Sequence, residues 1–377
     1  MLVSFLPCES WGVSGYVCSA PYQALPLGRS HTCVANAAIP EGARLTNRID
    51  FLNFRPERFT LDERGRRNGP RFKVDKPQAV LFGSSFSLGL GLSDEETLSA
   101  QLNEQLGPIV YNAAGTFSAG LSADYFIKIA RESAMDKGWI VIEMLNRSTF
   151  FYMQPPIPHQ RAPFSERLEF GVRQRWRAMG ERVARIAAPV TSVMRRIQYP
   201  NAVTRVATLV NMRLHNGSIL PNPLHDRYAE EQLVTGRKVL MSRNDTRFAQ
   251  RLVKSEGTAN AIVRLRDELE RRGYHLAVIL MPNGYSVYYP LLRNQEVPDY
   301  SEPYLHNLYT ALSTARVPVL NLLPRLRQAA KDELTHRSRM IFYSDDAHWN
   351  PVGCSIAAHA VAPWLDALIR GAAVTVR

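Results

Sequence analysis

Hydrophobic and polar positions follow different rules in different parts of this chain. Through residue 74, apolar residues are scattered among Pro and Gly with little periodicity, and the stretch reads as loop. From there the pattern sharpens. Gln78–Phe82 (QAVLF), Ile109–Tyr111, Gly138–Met144 (GWIVIEM), Leu276–Met281 and Val317–Leu322 are short apolar runs stopped by turn residues, as buried parallel strands are. Between them the period changes to three and four. Leu98, Leu102 and Leu106 share one helical face behind a Ser93/Glu96 capping box. A second helix is predicted over Ser122–Met135, and a long one over Asp245–Arg272, with Leu252, Ile262, Leu265 and Leu269 inward. Another opens near Ser301. The last opens at Asn350-Pro351, an N-cap followed by proline at the first helical position, and continues through Ile356, Ala360, Trp364 and Leu368.

Strand and helix in that alternation predict a three-layer α/β/α domain: a five-stranded parallel sheet with helices on both faces. The chain then divides into a loop-rich segment 1–74, a first core half 75–151, an insertion 152–240 and a second core half 241–377. Chemistry in such sheets gathers at the carboxyl ends of the strands. Here these are Gly83–Phe86, Asn112–Gly120, Asn146–Arg147, Pro282–Tyr285 and the loop before Asn350.

Within the insertion, Leu168, Val172, Trp176, Met179, Val183, Ile186 and Val190 recur at helical spacing. Residues 161–200 hold nine Arg against three Glu, a local excess of +6 in a chain whose formal net charge is +12. The expectation is an amphipathic helix with a basic polar face. It is either packed on the domain with its arginines solvated, or a surface for anionic polysaccharide or a membrane. Nucleic acid is not expected, because no recognised binding motif accompanies the charge. Apolar residues make up 45% of the chain, enough for a sizeable core and too many for a disordered tail. No run reaches the roughly 18 apolar residues of a membrane span. Met1–Ala20 lacks the basic end and unbroken apolar run of a secretory signal, so an exported form would need an upstream start or a signal already removed. Of four cysteines, Cys8, Cys18 and Cys33 crowd the first segment; a bridge among them is open, and free thiols are the alternative. Their spacing fits no zinc pattern, and the nine histidines form no H-E-x-x-H motif, so no metal and no cofactor is expected.

Two elements carry candidate chemistry. Ser85 sits in Gly83-Ser84-Ser85-Phe86, between a strand and a helix start, where developing negative charge is favoured. Near the other end, Tyr343-Ser344-Asp345-Asp346-Ala347-His348-Trp349-Asn350 places carboxylates two and three residues before a histidine. Either carboxylate would fix the imidazole tautomer and leave Nε2 as a base. Serines are common in such turns, and a histidine before a helix is often a capping residue. The combination of the two at one sheet edge is what points to nucleophilic catalysis.

These blocks resemble the SGNH (GDSL-type) hydrolase superfamily over about 60–377, with the insertion unmatched. FTLDERGRR at Phe59–Arg67 resembles a lead-in of one bacterial branch, VLFGSSFSLGLGLSDEETLSAQL at Val80–Leu102 the nucleophile block, VYNAAG at Val110–Gly115 the second block, IVIEMLNRS at Ile140–Ser148 the third and DAHWNPVG at Asp346–Gly353 the last. The proline–tyrosine loop Pro282–Tyr288 resembles the branch that includes bacterial polysaccharide O-acetyltransferases. The resemblance implies a flavodoxin-like sheet, with Ser85 as nucleophile, His348 as base and Asp346 (alternate Asp345) as its orienter. It implies an oxyanion hole from Gly115 and Asn146, with Gly120 and Arg147 as alternates. Tyr285 and Trp349 are the expected substrate contacts.

Two departures stand out. Ser84 occupies the place of the family's aspartate, which helps set the nucleophile loop. The Asp-x-His block also follows the serine here, whereas it precedes it in alginate-type acetyltransferases. The implied activity is ester hydrolysis or O-acetyl transfer on a carbohydrate, from a small acyl donor, in an extracytoplasmic or periplasmic setting. Two rival readings are a catalytically weak polysaccharide-binding or scaffolding module, and a lipid or thioester hydrolase docked on a membrane.

Overall fold

The structure is a computed structural model that describes residues 58–60, 62, 64, 66–68, 74–114, 122–146, 228–250, 254–295, 298–343 and 347–371, together with strand segments at 6–7, 17–18 and 32–34. By contacts the chain forms two compact units, 1–153 with 222–377, and 154–221. The described residues belong to the first, and the expected basic helix of 161–200 lies outside them.

The segment expected to be loop contains a small antiparallel sheet: β1 (Leu6–Pro7), β2 (Val17–Cys18), β3 (Thr32–Val34) and β4 (Arg58–Thr60), paired in that order. Strands of two or three residues are too short to show an alternating pattern, which is why the sequence concealed them. Their register sets Cys18 opposite Cys33.

The main sheet has strands β5 (Ala79–Phe82), β6 (Val110–Asn112), β7 (Gly138–Leu145), β10 (Tyr274–Met281) and β11 (Val319–Asn321). All its pairings are parallel, in the order β11-β10-β7-β5-β6. Numbered by their own sequence, that is 5-4-3-1-2, the flavodoxin-like arrangement, and the order reverses between β5 and β7. Ala79, Val80, Leu81, Ile140, Val141, Ile142 and Leu276–Met281 are buried, which explains the unbroken apolar runs. Each such side chain contributes roughly 1.5–3 kcal/mol of burial free energy. An antiparallel hairpin, β8 (Tyr228–Gln232) and β9 (Lys238–Ser242), precedes the second core half.

One helical layer holds α2 (Leu98–Leu106), α8 (Leu323–Arg337) and α9 (Pro351–Ile369); the other holds α3 (Ala123–Glu132), α5 (Glu256–Glu270) and α7 (Ser301–Thr314). Two expectations need correction. The long helix predicted over Asp245–Arg272 is two helices, α4 (Arg243–Ala249) and α5. The Ala249 carbonyl accepts from Tyr300 N–H at 2.6 Å, so it is drawn out of any continuing helical ladder. Helix α8 was not anticipated, although Leu323, Leu326, Ala330 and Leu334 form its buried stripe behind Pro324 in the first turn. Helix α9 is long and apolar enough by composition to cross a membrane, with a mean hydropathy of 1.5 over its best window, but half of that window is buried in the core. Its small and large residues Cys354, Ala357, Ala358, Val361 and Leu365 fill the layer beside α2 and α8.

Candidate active site

At the end of β5 the chain turns through Gly83 and Ser84 into a single helical turn, α1 (Ser85–Leu88). Ser84 is its N-cap: the Ser84 hydroxyl accepts from Phe86 N–H at 3.2 Å. Gly89 closes the turn with φ +79°, a left-handed conformation that glycine adopts without a Cβ clash. Ser85 is thus the first residue of a capped turn and is only partly covered.

The opposite wall is the loop before α9. It is laced down at several points. Phe342 bridges Trp349, and Tyr343 N–H donates to the His348 carbonyl at 3.0 Å. Ile341 N–H donates to the Tyr288 hydroxyl at 2.8 Å. Asn350 caps α9 by accepting from Gly353 N–H at 3.0 Å, while its amide donates to the Met340 carbonyl at 2.7 Å. Gly353 lets α9 come this close: a Cβ there would lie 2.0 Å from the Ile341 carbonyl oxygen. Gly353→Ala is therefore expected to destabilise the fold by about 1–3 kcal/mol through a backbone shift, read from the urea midpoint.

These two walls bring His348 Nε2 to 2.7 Å from Ser85 Oγ, across 263 positions of sequence. The His348 ring is buried and stands 5.0 Å from the Phe86 ring. Trp349 takes a different place from the one expected. It is fully buried and packs edge-on to Phe86 at 5.5 Å, so it supports the wall from behind rather than facing a substrate. Tyr285 begins the proline–tyrosine loop's helix α6 (Gly284–Tyr288), which Asn283 caps by accepting from Ser286 N–H at 2.8 Å. Tyr285 lines a cavity of about 10 Å³ together with Tyr288, Tyr343 and Ala347, too small for a substrate as it stands. Burial, helped by the nearby Glu231 and Asp299 charges, pushes its phenol up to about 12.

Asn146 ends β7, fully buried. Its backbone N–H donates to the Met281 carbonyl at 2.9 Å and its amide reaches the Ser286 hydroxyl at 3.4 Å. Gly115, Gly120, Arg147, Asp345 and Asp346 lie outside the described residues, so the remaining oxyanion and orienting assignments stay with the resemblance.

Three groups that sequence reasoning passed over hold the serine turn. The buried Arg67 guanidinium donates to the Leu88 carbonyl at 3.0 Å and also to the Gly89 and Leu92 carbonyls, with Asp94 at 3.5 Å. Asn68 pairs with the backbone of Asn112 in both directions, accepting from its N–H at 2.8 Å and donating to its carbonyl at 2.9 Å. Asn112 in turn donates to the Ser87 carbonyl at 2.9 Å.

The third group is Glu143 of β7, completely buried beneath the turn, where it accepts from Ser84 N–H at 2.8 Å. Burial pushes its carboxyl above the ordinary value of 4.5, against the pull of hydrogen bonds from Ser84 and Ser87. A raised folded value means the neutral acid is favoured by folding. That contribution is complete below about 4.5 and is lost as pH rises through the folded value. Glu143→Gln, which cannot ionise, is expected to gain stability relative to wild type as pH rises from about 4.5, whatever constant offset the amide brings. Urea midpoints at stepped pH check this; parallel curves would contradict it. Among the described residues no cluster of His, Cys, Asp and Glu is suited to hold a metal ion.

A parallel sheet in this order, with a serine–histidine contact at its switch point, has the architecture of the SGNH hydrolase-like α/β class. Residues 240–374 match the family described as the SGNH hydrolase-like domain of acetyltransferase AlgX. The matched part contains His348 and excludes Ser85. Among solved structures, a carbohydrate acetylesterase family member from Sinorhizobium meliloti is 9% identical, covers 78% of this chain and 99% of its own, and gives a TM-score of 0.35. Esterase EstA from Pseudoalteromonas sp., inhibited by monoethylphosphonate, is 10% identical, with coverages of 77% and 99% and a TM-score of 0.34. Comparison with curated proteins gives no significant match.

Proposed function

We propose that this chain is a serine-dependent acyl-transfer enzyme, an esterase or O-acetyltransferase acting on a carbohydrate. The observation that carries this reading is the 2.7 Å contact between Ser85 Oγ and His348 Nε2. That separation is within reach of a nucleophile and its general base even without a ligand.

In the proposed reaction, His348 Nε2 takes the Ser85 proton as Oγ bonds to the ester carbonyl carbon. The negative charge passes to the carbonyl oxygen, beside the Ser85 backbone N–H at the start of α1 and the remaining oxyanion donors, Gly115 or Gly120 and Asn146 or Arg147. Collapse breaks the bond to the leaving oxygen, which receives the proton from His348. A water or a sugar hydroxyl then gives its proton to His348, attacks the acyl-enzyme and frees Ser85. Asp346, or Asp345, would hold the imidazole in the tautomer this needs. The similarity of 240–374 to an acetyltransferase domain supports an acetyl group and a sugar acceptor.

The test is hydrolysis of a chromogenic acetyl ester, with mass spectrometry of the chain after treatment with an organophosphonate. Turnover and a covalent adduct on Ser85 are expected. An unmodified Ser85 with no turnover would sink the reading.

A further inference from the structure

The serine turn is tied to the neighbouring strand by a carboxyl group that belongs to neither the serine nor the histidine loop. Glu143 Oε2 lies 2.8 Å from both Ser84 N and Ser84 Oγ, and Oε1 lies 3.1 Å from the same hydroxyl. The Ser84 hydroxyl already accepts from Phe86 N–H, so its own proton is available for the carboxyl group. The result is a directed chain from Phe86 N–H through the Ser84 hydroxyl to Glu143, spanning the residue on either side of Ser85. A second observation is independent of these bonds. The carboxyl group fills the space over Gly83, where a Cβ would meet Glu143 Oε2 and the Ser87 side chain at 2.6 Å. Gly83, Ser84 and Glu143 therefore fit one another as a set.

A carboxyl group in the middle of a fully buried strand is costly unless hydrogen-bonded. Here its partners are the backbone and the cap of the turn that carries Ser85. We infer that Glu143 is the positioning residue of the Ser85 turn, acting through Ser84, so that the carboxyl group resembling proteins carry at position 84 is delivered from the adjacent strand. Glu143 touches no reacting atom. It fixes the direction in which Ser85 Oγ leaves the turn, and so the 2.7 Å reach to His348. This rests on the acyl-transfer reading for its catalytic consequence, but its geometry stands without it.

The pairing makes an exchange prediction that simple packing does not. Two carboxyl groups cannot both be accommodated at this spot, because like charges about 3 Å apart disfavour each other's ionisation. Ser84→Asp alone is expected to harm the turn. Combined with Glu143→Ala, the same change is expected to repair it. The experiment uses the full chain and the rate at which an organophosphonate modifies Ser85, with thermal melts confirming that each variant folds.

Glu143→Ala is expected to slow labelling by about 10²-fold, and Glu143→Gln, in which an N–H₂ replaces one acceptor oxygen, by about tenfold. The double variant Ser84→Asp/Glu143→Ala is expected to label at least about tenfold faster than Glu143→Ala. Wild-type labelling rates in Glu143→Gln, or no recovery in the double variant, would overturn the inference and leave the acyl-transfer reading standing. If wild-type Ser85 itself resists the probe, it is that reading which fails. Hydrogen exchange at the Ser84–Phe86 amides then decides the positioning role: faster exchange in Glu143→Gln supports it, and unchanged exchange overturns it. Should Glu143→Ala not fold, Glu143→Gln supplies both readouts.

Discussion

Ser85→Ala is expected to lower kcat/KM for an acetyl ester by at least about 10³-fold, and His348→Ala by a similar factor. The more telling measurement is the double variant. Ser85 Oγ and His348 Nε2 are 2.7 Å apart, and each is chemically ordinary without the other. A hydroxyl with no base and a base with no hydroxyl both leave only binding and oxyanion stabilisation. The double variant should therefore be no slower than the worse single one. Independent, multiplying losses would mean that the two side chains do not act as a unit. Far-ultraviolet circular dichroism should be unchanged in all three variants. Ser85 carries no structural hydrogen bond that an apolar residue would strand, and the His348 ring is held chiefly by packing against Phe86.

The second large effect is structural. Arg67→Ala is expected to cost about 3–5 kcal/mol of stability, because it removes one partner of a buried ion pair and strands several carbonyls at once. Leu88, Gly89 and Leu92 present their carbonyl oxygens to one guanidinium, which lies almost wholly inside the protein. No water can reach those oxygens without opening the turn. Arg67→Lys should rescue little. An ammonium carries three donors on one atom, whereas the carbonyls are spread around a planar fork. Urea unfolding of the three proteins reads the difference, and a Lys variant as stable as wild type would refute the fork argument.

How much of this was written in the sequence can be judged residue by residue. The five core strands were readable because a strand buried on both faces must be apolar without interruption, and turn residues mark its ends. Ser85 and His348 were readable because topology sends the ends of such strands to one edge. Arg67 and Asn68 were not. Their partners are carbonyls and amides 20 to 44 positions away, and backbone groups leave no trace in composition.

Glu143 was hidden differently. It sat inside GWIVIEM and was counted as part of an apolar run. The signal was present: a lone acid in a strand with no solvent-facing side must have a partner. Trp349 misled in the opposite direction. An aromatic next to a candidate base suggests a sugar platform, but its neighbours Phe86 and Phe342 claim it for the core. The break between α4 and α5 was invisible because a stolen carbonyl, that of Ala249, changes no side-chain period.

The seam between β7 and β10 has a further meaning. Eight consecutive residue pairs join these strands, from Tyr274 opposite Gly138 to Met281 opposite Leu145. Everything that carries the hydroxyl lies on one bank of that seam, and everything that carries the imidazole lies on the other. Competence is therefore a property of assembly rather than of either portion. A newly made amino-terminal portion displays a poised but inert alcohol until the carboxyl-terminal strands dock. Such a molecule is protected by its own topology from reacting before it has finished folding.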